Sequence, residues 1–239
     1  MIAARVNFQR VYDLRERVLP DWVDTSPPTL DDAQRYTLEE AARALGLGTA
    51  GQIADYAYMK RGEAAPTLTA LRREGVLQPV TVETVSGKAI EFLVHRDDWP
   101  LVERALDGDL VPSRTTFLSP FDSLFWGQGR DEQLWGFVHV LEAYKPAPQR
   151  IWGYFCLPIL HRDRLIGRFD PRLDRRAGRL RLDALHLEPE VALDEVLIGE
   201  VAAAMRAFMT WHGASELSVE RSNPPTFGER LLAAVHASM

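Results

Sequence analysis

Nine arginines fall between Gln149 and Arg181, accompanied by three aspartates and by no lysine or glutamate. The 239-residue chain carries a net charge of −6, so this positive stretch sits on an acidic body. Screening confines a surface field to about 8–10 Å in physiological salt, which lets a local basic stripe bind phosphate despite the total. Its centre is the run Pro171 to Gly178, expected to be a loop between two strands, Arg164 to Asp170 and Arg179 to Leu185. Arg172, Arg175 and Arg176 then project from a hairpin tip toward a DNA groove or backbone. Arg168 and Arg179 extend that surface from the flanking strands, and Arg162, Arg164 and Arg181 join it wherever strand alternation allows. The plain alternative is a solvated turn in which Asp174 pairs with a neighbouring arginine for at most about 1 kcal/mol. The arginine excess over acids favours nucleic acid.

Other reactive groups are sparse. Asp122, in an otherwise apolar segment after Pro120 and Phe121, is the one local acid placed to position a water; capping a turn is its alternative role. Glu142 and Arg150 read as a structural ion pair. The single cysteine, Cys156, lies in a strand-like run and is expected to be a buried thiol in a reducing compartment. The six histidines are scattered without zinc spacing, and neither a Walker lysine loop nor a G-x-G-x-x-G run occurs. No metal and no cofactor is therefore expected. The N-terminus lacks an export signal and no apolar run reaches the roughly 18 residues of a membrane span. A soluble, cytoplasmic monomer follows.

These residues need elements to hold them. A first helix is expected over Phe8–Leu19, ended by Pro20, with a linker at Thr25 to Pro28. Leu30–Leu45 repeats apolar residues at helical spacing until Gly46, Thr49 caps a helix over Ala50–Met59, and Pro66 suits the first turn of a third, closed by Gly75. Strands over Val76–Val85 and Ile90–His95 flank the turn Ser86-Gly87-Lys88. Three short helices and a hairpin make a winged helix-turn-helix, which puts Thr67, Thr69, Arg72 and Arg73 on a recognition helix and Lys88 at the wing tip. The same four helix residues could equally be helix-start residues and a solvated face. A helix over Trp99–Leu106 closes this region. From Leu118 onward the pattern is a helical stretch at Glu132–Phe137, strands at Val138–Tyr144, Arg150–Leu160, Arg164–Asp170 and Arg179–Leu185, a long helix over Leu193–His212, a short strand at Leu217–Glu220, and a last helix over Phe227–Ala237. The fold class is α+β: a winged-helix domain at 1–110, then an α+β domain at 111–239 with an antiparallel sheet, helices on one face and a basic hairpin.

Two segments carry more than fold. One is Leu118-Ser119-Pro120-Phe121-Asp122-Ser123-Leu124-Phe125-Trp126. The other runs from Glu142, Tyr144, Pro146 and Arg150 through Gly153-Tyr154-Phe155 and Leu157-Pro158-Ile159-Leu160 to Asp163-Arg164-Leu165-Ile166-Gly167-Arg168, Asp170 and Asp174-Arg175-Arg176-Ala177-Gly178. With the opening Phe8-Gln9-Arg10-Val11-Tyr12-Asp13-Leu14 and Glu16-Arg17-Val18-Leu19-Pro20, they resemble the winged-helix crosslink-repair DNA glycosylases typified by AlkZ and YcaQ. The resemblance implies tandem winged helices, double-stranded DNA as partner, and excision of alkylated or crosslinked bases. It also implies a catalytic motif of glutamine, an apolar residue, then glutamine or aspartate, in an N-terminal winged helix. None of the seven glutamines here stands in that motif. The resemblance would place it before Met1, in a segment lost or in a separately encoded module. A non-enzymatic winged-helix DNA binder, a regulator or a damage-recognition subunit, is the alternative.

Overall fold

A computed structural model describes residues 1–237. It opens with an antiparallel hairpin, β1 (Ile2–Val6) and β2 (Gln9–Tyr12), and one helical turn, α1 (Arg15–Val18). This corrects the helix expected over Phe8–Leu19. Asn7 and Phe8 take φ of 49° and 65°, the left-handed pair that closes a two-residue hairpin turn. Every residue of both strands is exposed, so the helical spacing of Val11, Leu14 and Val18 has no core to pack against.

α2 (Leu30–Leu45) starts where the Thr29 side chain accepts the Asp32 amide, and stops at Gly46 with φ 71°. After the two-residue strand β3 (Leu47–Gly48), α3 (Ala50–Tyr56) opens with a capping box: the Thr49 hydroxyl accepts the Gln52 amide while the Gln52 side chain accepts the Thr49 amide. α4 (Arg61–Arg73) begins five residues ahead of Pro66, not at it. The Lys60 carbonyl receives the amides of Glu63 and Ala64, so the helix is nucleated before the proline, which forgoes a single bond. β4 (Leu77–Glu83) and β5 (Ala89–His95) form a hairpin, and β3 pairs with the free side of β5. Leu38, Leu45, Ile53, Leu68, Leu71 and Leu77 join in one buried cluster. α5 (Trp99–Leu106) follows and ends at Asp107.

A larger sheet comes next. Its strands are β6 (Thr115–Phe117), β7 (Leu157–His161), β8 (Arg164–Asp174), β9 (Arg179–Leu187), β10 (Glu216–Val219) and β11 (Ser222–Asn223). The order is β10-β9-β8-β7-β6, with β11 also on β9. β6 to β9 are antiparallel, but β10 and β11 run parallel to β9. The sheet is therefore mixed rather than wholly antiparallel. α7 (Glu195–His212) lies between β9 and β10 in the chain, the long crossover that a parallel neighbour requires. α7 and α8 (Pro225–His236) pack on the sheet, where Val201, Met205, Phe227 and Leu231 meet Phe169, Leu180, Leu182 and Leu185. Full burial of a side chain such as Phe169 or Phe227 contributes about 2–3 kcal/mol. The architecture is α+β. Among the described residues no helix is long and apolar enough to cross a membrane.

Two expected strands do not form as such. Residues 138–144 are irregular, because the Val138 carbonyl accepts from Arg168 and the His139 amide is taken by Asp131. The strand expected from Arg150 starts only at Leu157, since the amides of residues 152–155 are given to carboxylates of Glu142 and Asp170 instead of a ladder.

The helical segment α6 (Arg130–Trp135) docks on the end of α2 through Arg130, which is 4% exposed. Its Nη2 donates to the Leu45 carbonyl at 2.9 Å, Nε to Leu47 at 3.1 Å and Nη1 to Leu124 at 3.2 Å. Leu45 is the last residue of α2, so the cation faces the negative end of that helix. Beside it, Gln52 donates to the Gln133 side chain at 2.8 Å, and the Val85 amide to the Gln133 carbonyl at 3.1 Å. Arg130→Ala leaves three carbonyls short of a donor, and the expected loss is about 3 kcal/mol. Thermal unfolding should show it as a midpoint lowered by several degrees, with Arg130→Lys intermediate because one ammonium cannot span three acceptors. An unchanged midpoint would contradict this role.

Candidate nucleic-acid interface

β8 and β9 pair from Gly167↔Leu187 to Asp174↔Arg179, so the expected eight-residue loop shrinks to Arg175–Gly178. Asp174 Oδ1 accepts the amides of Arg176 and Ala177 at 3.0 and 3.1 Å. It folds the turn rather than neutralising an arginine. The Gly178 carbonyl receives the amides of Ser215 and Glu216, which ties the tip to the strand after α7.

The arginines of this surface divide into three kinds. Arg172 and Arg181 share Asp183 at 2.9 and 2.6 Å, and Arg179 meets Glu216 at 2.9 Å. These pairs are solvent-washed and weak, so a phosphate can compete for the cations. Arg175 and Arg176 are exposed at the tip and make no ion pair among the described residues. Partial burial, and then the charge of Arg175, lower the pKa of His212. Next to His212 at the end of α7, Trp211 is 80% exposed.

Arg168 is the third kind, and here the expectation is corrected. It is 2% exposed, with its guanidinium 3.9 Å from the centre of the Phe137 ring and 4.3 Å from that of Trp152. It donates to the Val138 carbonyl and to Glu188 at 2.9 and 2.8 Å. On β8, Arg168 is covered by Phe137 and Trp152, whereas beyond the register shift at Asp170–Pro171 Arg172 and Asp174 face solvent. Buried and paired, Arg168 organises its surroundings and does not stand on the exposed basic surface.

The other expected contacts lie on α4 and the β4–β5 hairpin. Thr67 is half-buried, and the Thr69 hydroxyl donates back to the Ala65 carbonyl. Arg72 grips Glu91 on β5 with two bonds, at 2.7 and 2.9 Å. Arg73 and Lys88 are exposed and without an ion pair among the described residues. The hairpin leans on α6 through Val85, and a cleft of about 620 Å³ opens beside it, lined by Val85, Trp135, Phe137, Asp163, Arg164 and Glu188 among others.

Asp122 caps a short 3₁₀ turn, Oδ1 accepting the Leu124 amide at 2.9 Å. The Trp126 indole donates to the Phe121 carbonyl, and His139 stacks on Phe125 at 4.2 Å. Glu142 does not pair with Arg150. It accepts from the Lys145 ammonium at 3.0 Å and from the Trp152 amide at 2.7 Å, while Arg150 donates to the Lys145 carbonyl. Asp170 receives the amides of Tyr154 and Phe155, and a Cβ at Gly153 would collide with its carboxylate. Cys156 is buried, as expected, and burial with Asp170 nearby pushes its thiol up to about 12. The Glu142, Gly153, Arg168 and Asp170 of the longer motif thus form one polar scaffold behind the sheet.

A family model, that of the AlkZ-like DNA glycosylases, matches residues 1–211. The chain belongs to the AlkZ-like DNA glycosylase family. No solved structure matches it. The family match spans the N-terminal hairpin, the whole cluster of α2 to β5 and the basic β8–β9 tip, ending within α7 ahead of β10, β11 and α8. Trp211, at the end of that match, escaped the sequence reading; its position off the buried stripe of α7 was the available signal. Asp183 and Glu216, which hold Arg172 and Arg179, were also missed, and no local pattern announces cross-strand partners.

Burial raises the pKa of Glu142, but the Trp152 amide, the Lys145 ammonium and the amides of Ile151 and Gly153 outweigh it and hold the carboxyl at about 2. A folded pKa below the unfolded value of 4.5 gives stability that is complete above that value and fades as pH falls toward 2. Urea unfolding across that range should show Glu142→Gln less stable than wild type at pH 7, the two curves converging in acid. Parallel curves at all pH values would contradict the assignment.

Proposed function

We propose that this chain binds damaged double-stranded DNA as part of the excision of alkylated or crosslinked bases. The observation that carries the reading is the match to the AlkZ-like DNA glycosylases together with Arg175 and Arg176, without an ion pair among the described residues, on a hairpin tip whose turn Asp174 braces. α2, α3, α4 and the β4–β5 hairpin are read as a winged helix within a first domain at 1–110. α4 then approaches the groove, and Arg73 and Lys88 supply phosphate contacts. In the second domain, at 111–239, Arg175 and Arg176 lead the contact while Arg172 and Arg179 exchange their carboxylates for phosphate.

Hydrolysis of an N-glycosidic bond demands an extruded base, a stabilised oxocarbenium-like sugar and a positioned water. Asp122 is the acid of this chain proposed for the water, and the turn it caps would fix its orientation. The glutamine motif of the resemblance is not in the sequence, and a separately encoded module is the partner that would supply it. That same observation favours a second reading, a DNA-binding or damage-recognition protein without chemistry of its own. No cofactor enters either reading. The acting unit is proposed to be a cytoplasmic monomer.

The two readings part in one experiment. Duplexes with and without an N7-alkylated guanine are titrated at two salt concentrations, and abasic sites are assayed in parallel. Salt-sensitive binding is expected, and replacing Arg172, Arg175 and Arg176 by alanine should weaken it on the order of tenfold, mostly through the latter two. Base release by this chain alone would place the catalytic groups within it; binding without release supports the recognition reading. Salt-insensitive, weak binding would overturn both.

A further inference from the structure

The N-terminal hairpin is built in a way that neither the fold nor the β8–β9 surface explains. Phe8 is 96% exposed at the turn and has φ 65°. A bulky side chain rarely takes that conformation, whereas glycine or asparagine takes it readily, as Asn7 does beside it. The phenyl ring therefore strains the turn and gains no burial in return.

Immediately behind the ring, Arg5 and Arg10 stand directly opposite each other across the two strands. Like charges in that position destabilise a strand pair. Neither makes an ion pair among the described residues, and the nearby Asp13 is taken by the Leu14 amide at 2.7 Å and by Arg17 at 3.4 Å. From Met1 to Leu19 there are four arginines against two acids. Strand alternation puts Arg5 and Arg10 on one face and Ala4, Val6, Gln9 and Val11 on the other. A ribbon with a basic face and an aromatic tip lacks an anion and a planar surface.

We infer that this hairpin is a second duplex-contacting element, in which Phe8 inserts between stacked bases while Arg5 and Arg10 hold a backbone phosphate. The inference rests on the DNA-binding reading above. The paired guanidiniums select a polyanion, and the ring beyond them selects one with stacked bases to enter. Unstacking a step costs a few kcal/mol, which the phosphate contacts offset. The strain at Phe8 then belongs to presenting the wedge.

The test uses the full chain and a duplex carrying a central 2-aminopurine, whose fluorescence rises when its neighbours unstack. Wild-type protein should raise the signal at saturation. Phe8→Gly, which relaxes the turn and leaves the buried core untouched, should bind but lose most of that rise, and Phe8→Trp should restore it. Arg5→Ala with Arg10→Ala should lower the slope of log affinity against log salt by about 1. A full signal from Phe8→Gly, or wild-type binding with no signal, overturns the wedge while leaving the DNA reading intact. No binding by wild type removes both. Sedimentation showing that Phe8→Gly abolishes a dimer would instead seat the tip on a second copy and overturn the inference.

Discussion

A single buried cation, Arg130, holds α6 against the end of α2 and against β3. Arg130 meets no carboxylate among the described residues; its charge is dispersed over the carbonyls of Leu45, Leu47 and Leu124 and over the Trp135 ring. Burial lowers its pKa, yet an arginine stays protonated in any such site. The carbonyls of Leu45 and Leu47 lie just where α2 ends and would otherwise be short of donors. The arginine thus completes a helix end and locks α6 at once. The Gln52–Gln133 bond and the Val85 amide sit on the same seam, so the angle of the β4–β5 hairpin depends on it as well.

The arginines show how identical side chains come to do different work. Arg168 and Arg172 are four residues apart on β8, and both read as cations of one basic stripe. Between them the strand register shifts, at Asp170–Pro171, and the environment changes from packed interior to solvent. Arg168 is flanked by two aromatic faces and paired with Glu188, which suits a delocalised guanidinium out of water. Arg175 and Arg176 sit beyond the last rung of the ladder, on a turn where Asp174 is spent on backbone amides and Glu216 on Arg179. Position on the hairpin decides which charge is free for a polyanion.

Much of the local structure was legible in the residues. The helix over Leu30–Leu45, its Gly46 stop, the Thr49 cap and the helix over Trp99–Leu106 follow from spacing and capping chemistry that act within a few residues. The failures share a cause. Val138–Tyr144 and Arg150–Tyr154 have strand-forming residues, but their backbone groups are claimed by Arg168, Glu142 and Asp170 from distant parts of the chain. The parallel placement of β10 is likewise a tertiary choice, set by the crossover of α7. The N-terminal residues misled in the opposite direction, since a helical repeat was present but nothing buried it. For the candidate site, the tip arginines were visible as a charge excess. The burial of Arg168 and the pairing of Arg72 with Glu91 were not, because both depend on which strand faces which.

The claim that the hairpin tip and α4, rather than the buried arginine scaffold, meet DNA is tested most directly by amide hydrogen exchange with and without a saturating duplex. The account predicts slowed exchange in peptides covering residues 172–179, 67–73 and 86–88, with residues 137–142 and 152–156 unchanged. Protection confined to the Glu142–Arg168–Asp170 scaffold, with the tip exchanging as in the free protein, would contradict it.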